Sequence, residues 1–143
     1  KLFGRVEKEV IPRVTFTTPE VASVGVSTKK EAEELGYMVF TKEYGDIDRA
    51  ITDGDERGFF QIITDTKGNI KGATLVGNSA GELINEISLA MKQKINIMKL
   101  ADTIHAYPTY GYGLRSCADQ FRAQLYTNDK KKIVKFLLNL HGE

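Results

Sequence analysis

The residue types best suited to chemistry crowd into one short run, His105-Ala106-Tyr107-Pro108-Thr109-Tyr110-Gly111-Tyr112. An imidazole can cycle a proton near neutral pH, and three phenols can each donate and accept hydrogen bonds. A proline between aromatic residues reads as a rigid X-Pro turn, of the kind that can be cis, immediately before a helix. Wherever such rings are buried, their hydroxyls need partners. On residue types alone, the run is a candidate site or interface.

Other constellations weigh less. Glu82 and Glu86 stand one helical turn apart, but two carboxylates catalyse only when they converge on a cleft. Acids in the first turns of a helix are ordinarily explained by the cap and the dipole. Asp46, Asp48, Asp53 and Asp55 lack the spacing of a calcium loop, so a solvated turn is expected there. Gly111-Tyr112-Gly113 has Ser116 where a dinucleotide fingerprint needs its third glycine, and no strand leads into it. Cys117 is the single cysteine, which excludes an internal disulfide, and it reads as a small packed hydrophobe. His105 and His141 are too few for a zinc centre, and no metal site is expected. The run Lys130-Lys131-Lys132, followed by Ile133, Phe136, Leu137 and Leu140, predicts a basic amphipathic helix. Such a helix covers its own core, with a membrane surface as the alternative partner.

The chain that must position these groups has 143 residues, 41% of them hydrophobic, which suits one domain with a single core. A formal net charge of +1 gives no whole-domain footprint for nucleic acid. No apolar run approaches the roughly 18 residues of a membrane span, and no signal-peptide pattern opens the sequence, so a cytoplasmic location is expected.

Val14 and Phe16 alternate with Thr15 and Thr17 as in a strand, with Pro19 and Gly25 as the next boundaries. Thr28 and Glu31 have capping-box spacing, and Gly36 stops the helix they begin. A strand at Tyr37–Tyr44 follows, then a polar connection over Ile47–Gly58 with at most a brief strand or turn. Phe59–Thr64 and Ile70–Val76 are joined by five residues that include Gly68, an antiparallel hairpin. Ser79 and Glu82 repeat the capping-box spacing before a helix reaching Lys94, with Leu83, Ile84, Ile87 and Met91 on one face. Helices at Ile97–Asp102, after Pro108 and over Lys130–Leu140 complete the order. The grouping predicts an α+β fold, a three- or four-stranded antiparallel sheet with helices packed on one side. Residues 1–11 read as a linker or the end of a preceding region, 12–128 as the globular domain and 129–143 as the terminal basic helix.

Three ordered motifs resemble a known family. They are Pro12-x3-Phe16-Thr17-x-Pro19-Glu20-Val21-Ala22-x-Val24-Gly25, then Gly72-Ala73-x-Leu75-Val76-Gly77-x2-Ala80-Gly81-Glu82-Leu83-Ile84-x-Glu86, and then His105 to Thr109. Together they resemble the C-terminal dimerisation domain of FAD-dependent pyridine nucleotide-disulfide oxidoreductases, a group that includes dihydrolipoamide dehydrogenase, glutathione reductase and mercuric reductase. The resemblance covers about residues 12–126. It implies a homodimer, with upstream FAD- and NAD(P)-binding domains that also carry the redox-active cysteine pair. Residues 1–11 then correspond to the end of the FAD-binding region. Neither a Cys-x4-Cys nor a glycine fingerprint occurs in the 143 residues, so this stretch alone is expected to bind no cofactor and to be inactive.

The family's third motif is usually His-x-His-Pro-Thr-x-x-Glu, whose second His and Glu act as acid/base in the partner's active site. Aligned on Pro108 and Thr109, those positions hold Tyr107 and Tyr112, and His105 falls on the first His. A phenol with its ordinary pKa near 10 is neutral at pH 7, a hydrogen-bonding group but a poor base. The resemblance therefore assigns Tyr107 and Tyr112 to the catalytic positions, and His105, Ala106 and Pro108 to the neighbourhood of the partner's flavin. Glu82, Glu86 and Thr109 go to the two-fold interface. A tyrosine at position 107 is similar to mercuric reductase, although the Cys-Cys pair of that enzyme is not in this sequence. A metal-ion reductase and a non-enzymatic dimerisation module of the same fold are the alternatives.

Overall fold

The computed structural model describes residues 7–140, with side chains through residue 127. Among the described residues five strands form one antiparallel sheet: β1 (Arg13–Thr15), β2 (Glu20–Gly25), β3 (Met38–Glu43), β4 (Phe59–Thr64) and β5 (Ile70–Gly77). Their spatial order is β1-β2-β5-β4-β3. The helices are α1 (Lys29–Glu34), α2 (Asp48–Asp53), α3 (Ala80–Lys92), α4 (Ile97–Asp102) and α5 (Tyr112–Leu140). This is the expected α+β architecture, with a wider sheet than the three or four strands predicted.

Strand alternation builds the core. Registers Ala22↔Leu75↔Phe60 and Val24↔Ala73↔Ile62↔Phe40 bring the apolar residues of four strands onto one face. α3 lies over β2 and β5 and buries Ile84 and Ile87, while α5 lies over β3 and β4 and buries Leu114 and Phe121. All of these residues join one hydrophobic cluster.

Several local expectations hold. Thr28 Oγ1 accepts from the Glu31 amide at 3.2 Å, and Gly36 takes the left-handed φ of 69° that ends α1. The β4–β5 hairpin closes on Asp65, which accepts from the amides of Lys67 and Asn69, each at 2.9 Å.

Four do not hold. The capping box before α3 does not form, because Ser79 sits at a left-handed φ of 63° and its Oγ donates to Asn78 Oδ1 instead. The free amide is taken from outside the helix, by Glu20 Oε2 on β2, 2.8 Å from Gly81 N. The connection over Ile47–Gly58 contains α2, a six-residue helix with no side-chain N-cap, which leaves little local signal in the sequence. The separate helix expected over Lys130–Leu140 is the end of a single 29-residue α5. No glycine or proline interrupts residues 114–140, so nothing there breaks the helix. Its expected basic face lies outside the described side chains. The expected linker over 1–11 falls partly outside the described residues, and within it Lys8–Val10 form one 3-10 turn. No helix among the described residues is long and apolar enough to cross a membrane.

Candidate functional site

The run singled out at the start is the loop between α4 and α5. The Tyr107-Pro108 peptide is cis. Ala106, Tyr107 and Pro108 form an exposed apex, with Tyr107 63% exposed. Three residues on, Tyr110 is buried. The loop thus has an open crest and a closed base.

The base is fastened from beneath. Tyr110 Oη donates to Asp53 Oδ2 at 2.8 Å, and Asn78 Nδ2 approaches the same hydroxyl at 3.4 Å. Asp53 is also held by Arg49 Nε at 2.8 Å. The Tyr110 ring leans on Tyr44, which stacks face to face on Phe60 with centroids 4.3 Å apart. At the crest, Tyr107 Oη donates to Asp48 Oδ2, and the ring meets Tyr112 edge-on with centroids 5.8 Å apart. Both loop tyrosines are therefore tied to α2, one at each end of it.

His105 turns inward. Its Nε2 lies 3.0 Å from Glu86 Oε1 on α3 and its Nδ1 3.1 Å from the Thr103 carbonyl oxygen, leaving the side chain 9% exposed. Thr109 Oγ1 donates to the Ala106 carbonyl at 2.6 Å and braces the turn. Of the three expected interface residues, Thr109 is half-buried in this way, Glu86 is paired with His105, and Glu82 is exposed on α3.

These contacts set the proton affinities. The hydrogen bond to Asp48, and then the charge of Asp48, hold Tyr107 above its ordinary value of 10. Burial and then the bond to Asp53 raise Tyr110, and burial raises Tyr44 further still. The bond from Arg49, followed by that from Tyr110, holds Asp53 below the usual carboxylate value. Tyr107 and Tyr110 are consequently protonated phenols at neutral pH, fit to orient and bind rather than to abstract protons.

The acids read from the sequence as a solvated turn are in part the missing partners: Asp48 and Asp53 accept the two phenol hydrogen bonds. Arg49 and Asp53 stand four apart, the spacing of a helical ion pair. That pair was one local sign of α2, and Gly54, left-handed at its C-cap, was another.

The residues of the loop do not fit a resident nucleotide. A Cβ on Gly113 would lie 2.4 Å from the Phe60 ring, so that glycine admits core packing and leaves no space for a phosphate. A cavity of about 930 Å³ lies elsewhere, lined by Val10, Ile70, Lys71, Met91, Lys94 and Ile95 among others, and includes no loop residue. Among the described residues, no three His, Cys, Asp or Glu side chains gather as a metal site would require.

Residues 11–116 match the family model described as "Pyridine nucleotide-disulphide oxidoreductase, dimerisation domain". The chain belongs to this family. Across 129 residues it is 38% identical to dihydrolipoyl dehydrogenase of Buchnera aphidicola subsp. Baizongia pistaciae, covering 88% of this chain and 27% of the relative. Across 121 residues it is 29% identical to mercuric reductase of Shewanella putrefaciens, covering 83% of this chain and 22% of the relative. The crystal structure of LpdA from Mycobacterium tuberculosis shares the fold at a TM-score of 0.77 and 24% identity, over 82% of this chain and 26% of that one. The HOCl-induced flavoprotein disulfide reductase RclA from Escherichia coli superposes at a TM-score of 0.69 and 30% identity, over 78% and 26%. The chain thus spans about a quarter of the length of these oxidoreductases. The dimerisation-domain motifs fall on β1 and β2, on β5 with α3, and on the α4–α5 loop.

Proposed function

We propose that the chain is the dimerisation domain of a cytoplasmic, FAD- and NAD(P)-dependent disulfide-type oxidoreductase, and that its α4–α5 loop reaches the active site of a second copy. The observation that carries this reading is the asymmetry of the loop. Tyr107 and Pro108 stand exposed on a base fixed by Tyr110, Tyr44 and α2. A crest held rigidly above its own core is built to meet a surface outside it.

The apolar residues left open favour the same reading. Phe16 is 81%, Leu89 58% and Ile104 90% exposed. Leu89 lies on α3, the helix that also carries Glu82 and Glu86, and Ile104 adjoins His105 in the loop. Apolar side chains of this size left in water favour burial against a second surface. In this reading Glu82, Glu86 and Thr109 flank the two-fold contact, Tyr107 and Tyr112 stand at the partner's reaction centre, and His105, Ala106 and Pro108 line the approach to its flavin. Both cofactors belong to the upstream domains, and this stretch alone is inactive. A metal-ion reductase is the second reading, favoured by the tyrosine at position 107 and by the similarity to mercuric reductases.

Sedimentation velocity of the chain tests the assembly. A dimer is expected at micromolar concentration, and Leu89→Lys combined with Ile104→Glu should shift it to monomer. A native chain that stays monomeric throughout the accessible concentrations overturns the reading.

A further inference from the structure

Asp48 opens α2 and Asp53 closes it, and each accepts a hydrogen bond from one phenol of the loop. Resting on the reading of the loop as the partner-facing element, we propose that Asp48 is the positioning residue of Tyr107, directing its hydroxyl proton into its own subunit so that Oη faces the second copy with its lone pairs. A phenol has a single hydrogen. Once that hydrogen is committed to Asp48, the exposed oxygen is an acceptor with a carboxylate behind it. A ligand carrying S–H, O–H or N–H donors matches this arrangement, and an anion is repelled by it.

The geometry makes the assignment specific. Asp48 sits on a helix anchored at its other end by the Asp53 contacts with Arg49 and Tyr110, and Tyr110 rests on the buried Tyr44. The Asp48 carboxylate is exposed, but the helix that carries it is seated on the core through the buried Ala50. The Tyr107 ring is held at two points, its tip by Asp48 and its side by the edge of Tyr112. Asp48 of α2 and Tyr112 of α5 are the titratable groups that face it. Where the family resemblance implies an imidazole held by a Glu at position 112, this chain has a phenol held by a carboxylate 59 residues earlier.

The test uses the 143-residue chain with ¹³C at tyrosine Cζ, the Tyr107 resonance assigned by its loss in Tyr107→Phe. In the native chain Tyr107 should titrate above 10, the ordinary phenol value. Asp48→Asn should move its midpoint down toward that value, and Asp48→Glu should retain the upward shift. Tyr110, whose partner is Asp53, should keep its own midpoint in Asp48→Asn. If both tyrosines move together because α2 has come loose, the Glu variant decides, and failure to restore Tyr107 overturns the assignment. A native midpoint at 10, or one unchanged in Asp48→Asn, overturns it as well. The two readings fail separately. A monomeric chain with a shifted Tyr107 removes the partner-facing role and leaves Asp48 in place, and a dimer with an ordinary Tyr107 does the reverse.

Discussion

A Cβ added at Gly113 would come within 2.4 Å of Phe60 Cε2, well inside contact distance. Phe60 cannot step aside, since it is fully buried and stacked on Tyr44 at 4.3 Å. Two effects oppose each other at this position. Alanine is intrinsically better in a helix than glycine by about 1 kcal/mol, and overpacking a closed core costs about 1–3 kcal/mol. With a ring face in the way, the second wins. Gly113→Ala should lower the urea midpoint with an unchanged slope, whereas an equal or higher midpoint would mean that the start of α5 has room to shift. The same residue shows why the site was only partly readable beforehand. Gly111-Tyr112-Gly113 is rightly rejected as a nucleotide fingerprint, but its packing purpose depends on Phe60, more than fifty residues away. The tyrosine hydroxyls likewise announced a need for partners, and those partners lay 59 and 57 residues earlier, among acids that local spacing assigned to solvent.

Elements whose signals are local came out of the sequence well, because their determinants sit within a few residues of each other. α1 follows from Thr28, Glu31 and Gly36, and the β4–β5 hairpin follows from its five-residue turn. β2 escaped because Ala22, Ser23 and Gly25 carry little strand propensity, and its pairing with β5 supplies what they lack. The hairpin turn offers a test by pH. Burial raises the Asp65 carboxyl, but hydrogen bonds from Asn69 and Lys67 and the nearby Lys71 outweigh it and leave the group below 3.8. A carboxyl depressed in the folded state adds stability above its unfolded value, and that stability is lost as pH falls through the lower folded value. Asp65→Asn should therefore cost about 1 kcal/mol near neutral pH, and the gap to the native chain should close below about pH 4. Denaturant titrations across pH would show this. A gap that persists unchanged in acid would assign the loss to geometry and not to charge.

At the scale of the whole molecule, one core under one sheet joins all five strands, β1 through the half-buried Val14, to α2, α3, α4 and α5. The far edge, β3, is partly shielded where Gln120 Nε2 of α5 donates to the Thr41 carbonyl at 2.7 Å, a guard against edge pairing with another chain. The surface proposed to meet a second copy was not readable from hydrophobic periodicity, which reports burial within one chain. Ile104 and Phe16 look like any other apolar residues until their exposure is known. Cys117 offers a way to ask whether this core opens as a unit. Its thiol is fully buried between α5 and β4 and lies 3.6 Å from the Phe60 carbonyl oxygen. Burial pushes the thiol up to about 12, only partly opposed by Lys42. The thiolate is the reactive form, so at pH 8 the folded chain presents almost none of it, and the sulfur is buried. Iodoacetamide should leave the native chain unmodified for hours and add a single adduct in denaturant. If the core opens cooperatively, the urea dependence of that adduct will superpose on loss of the far-ultraviolet circular dichroism signal. Labelling that rises before the dichroism falls would show α5 lifting from β4 by a local opening, and the loop at its start would then lose the rigid base on which its exposed crest depends.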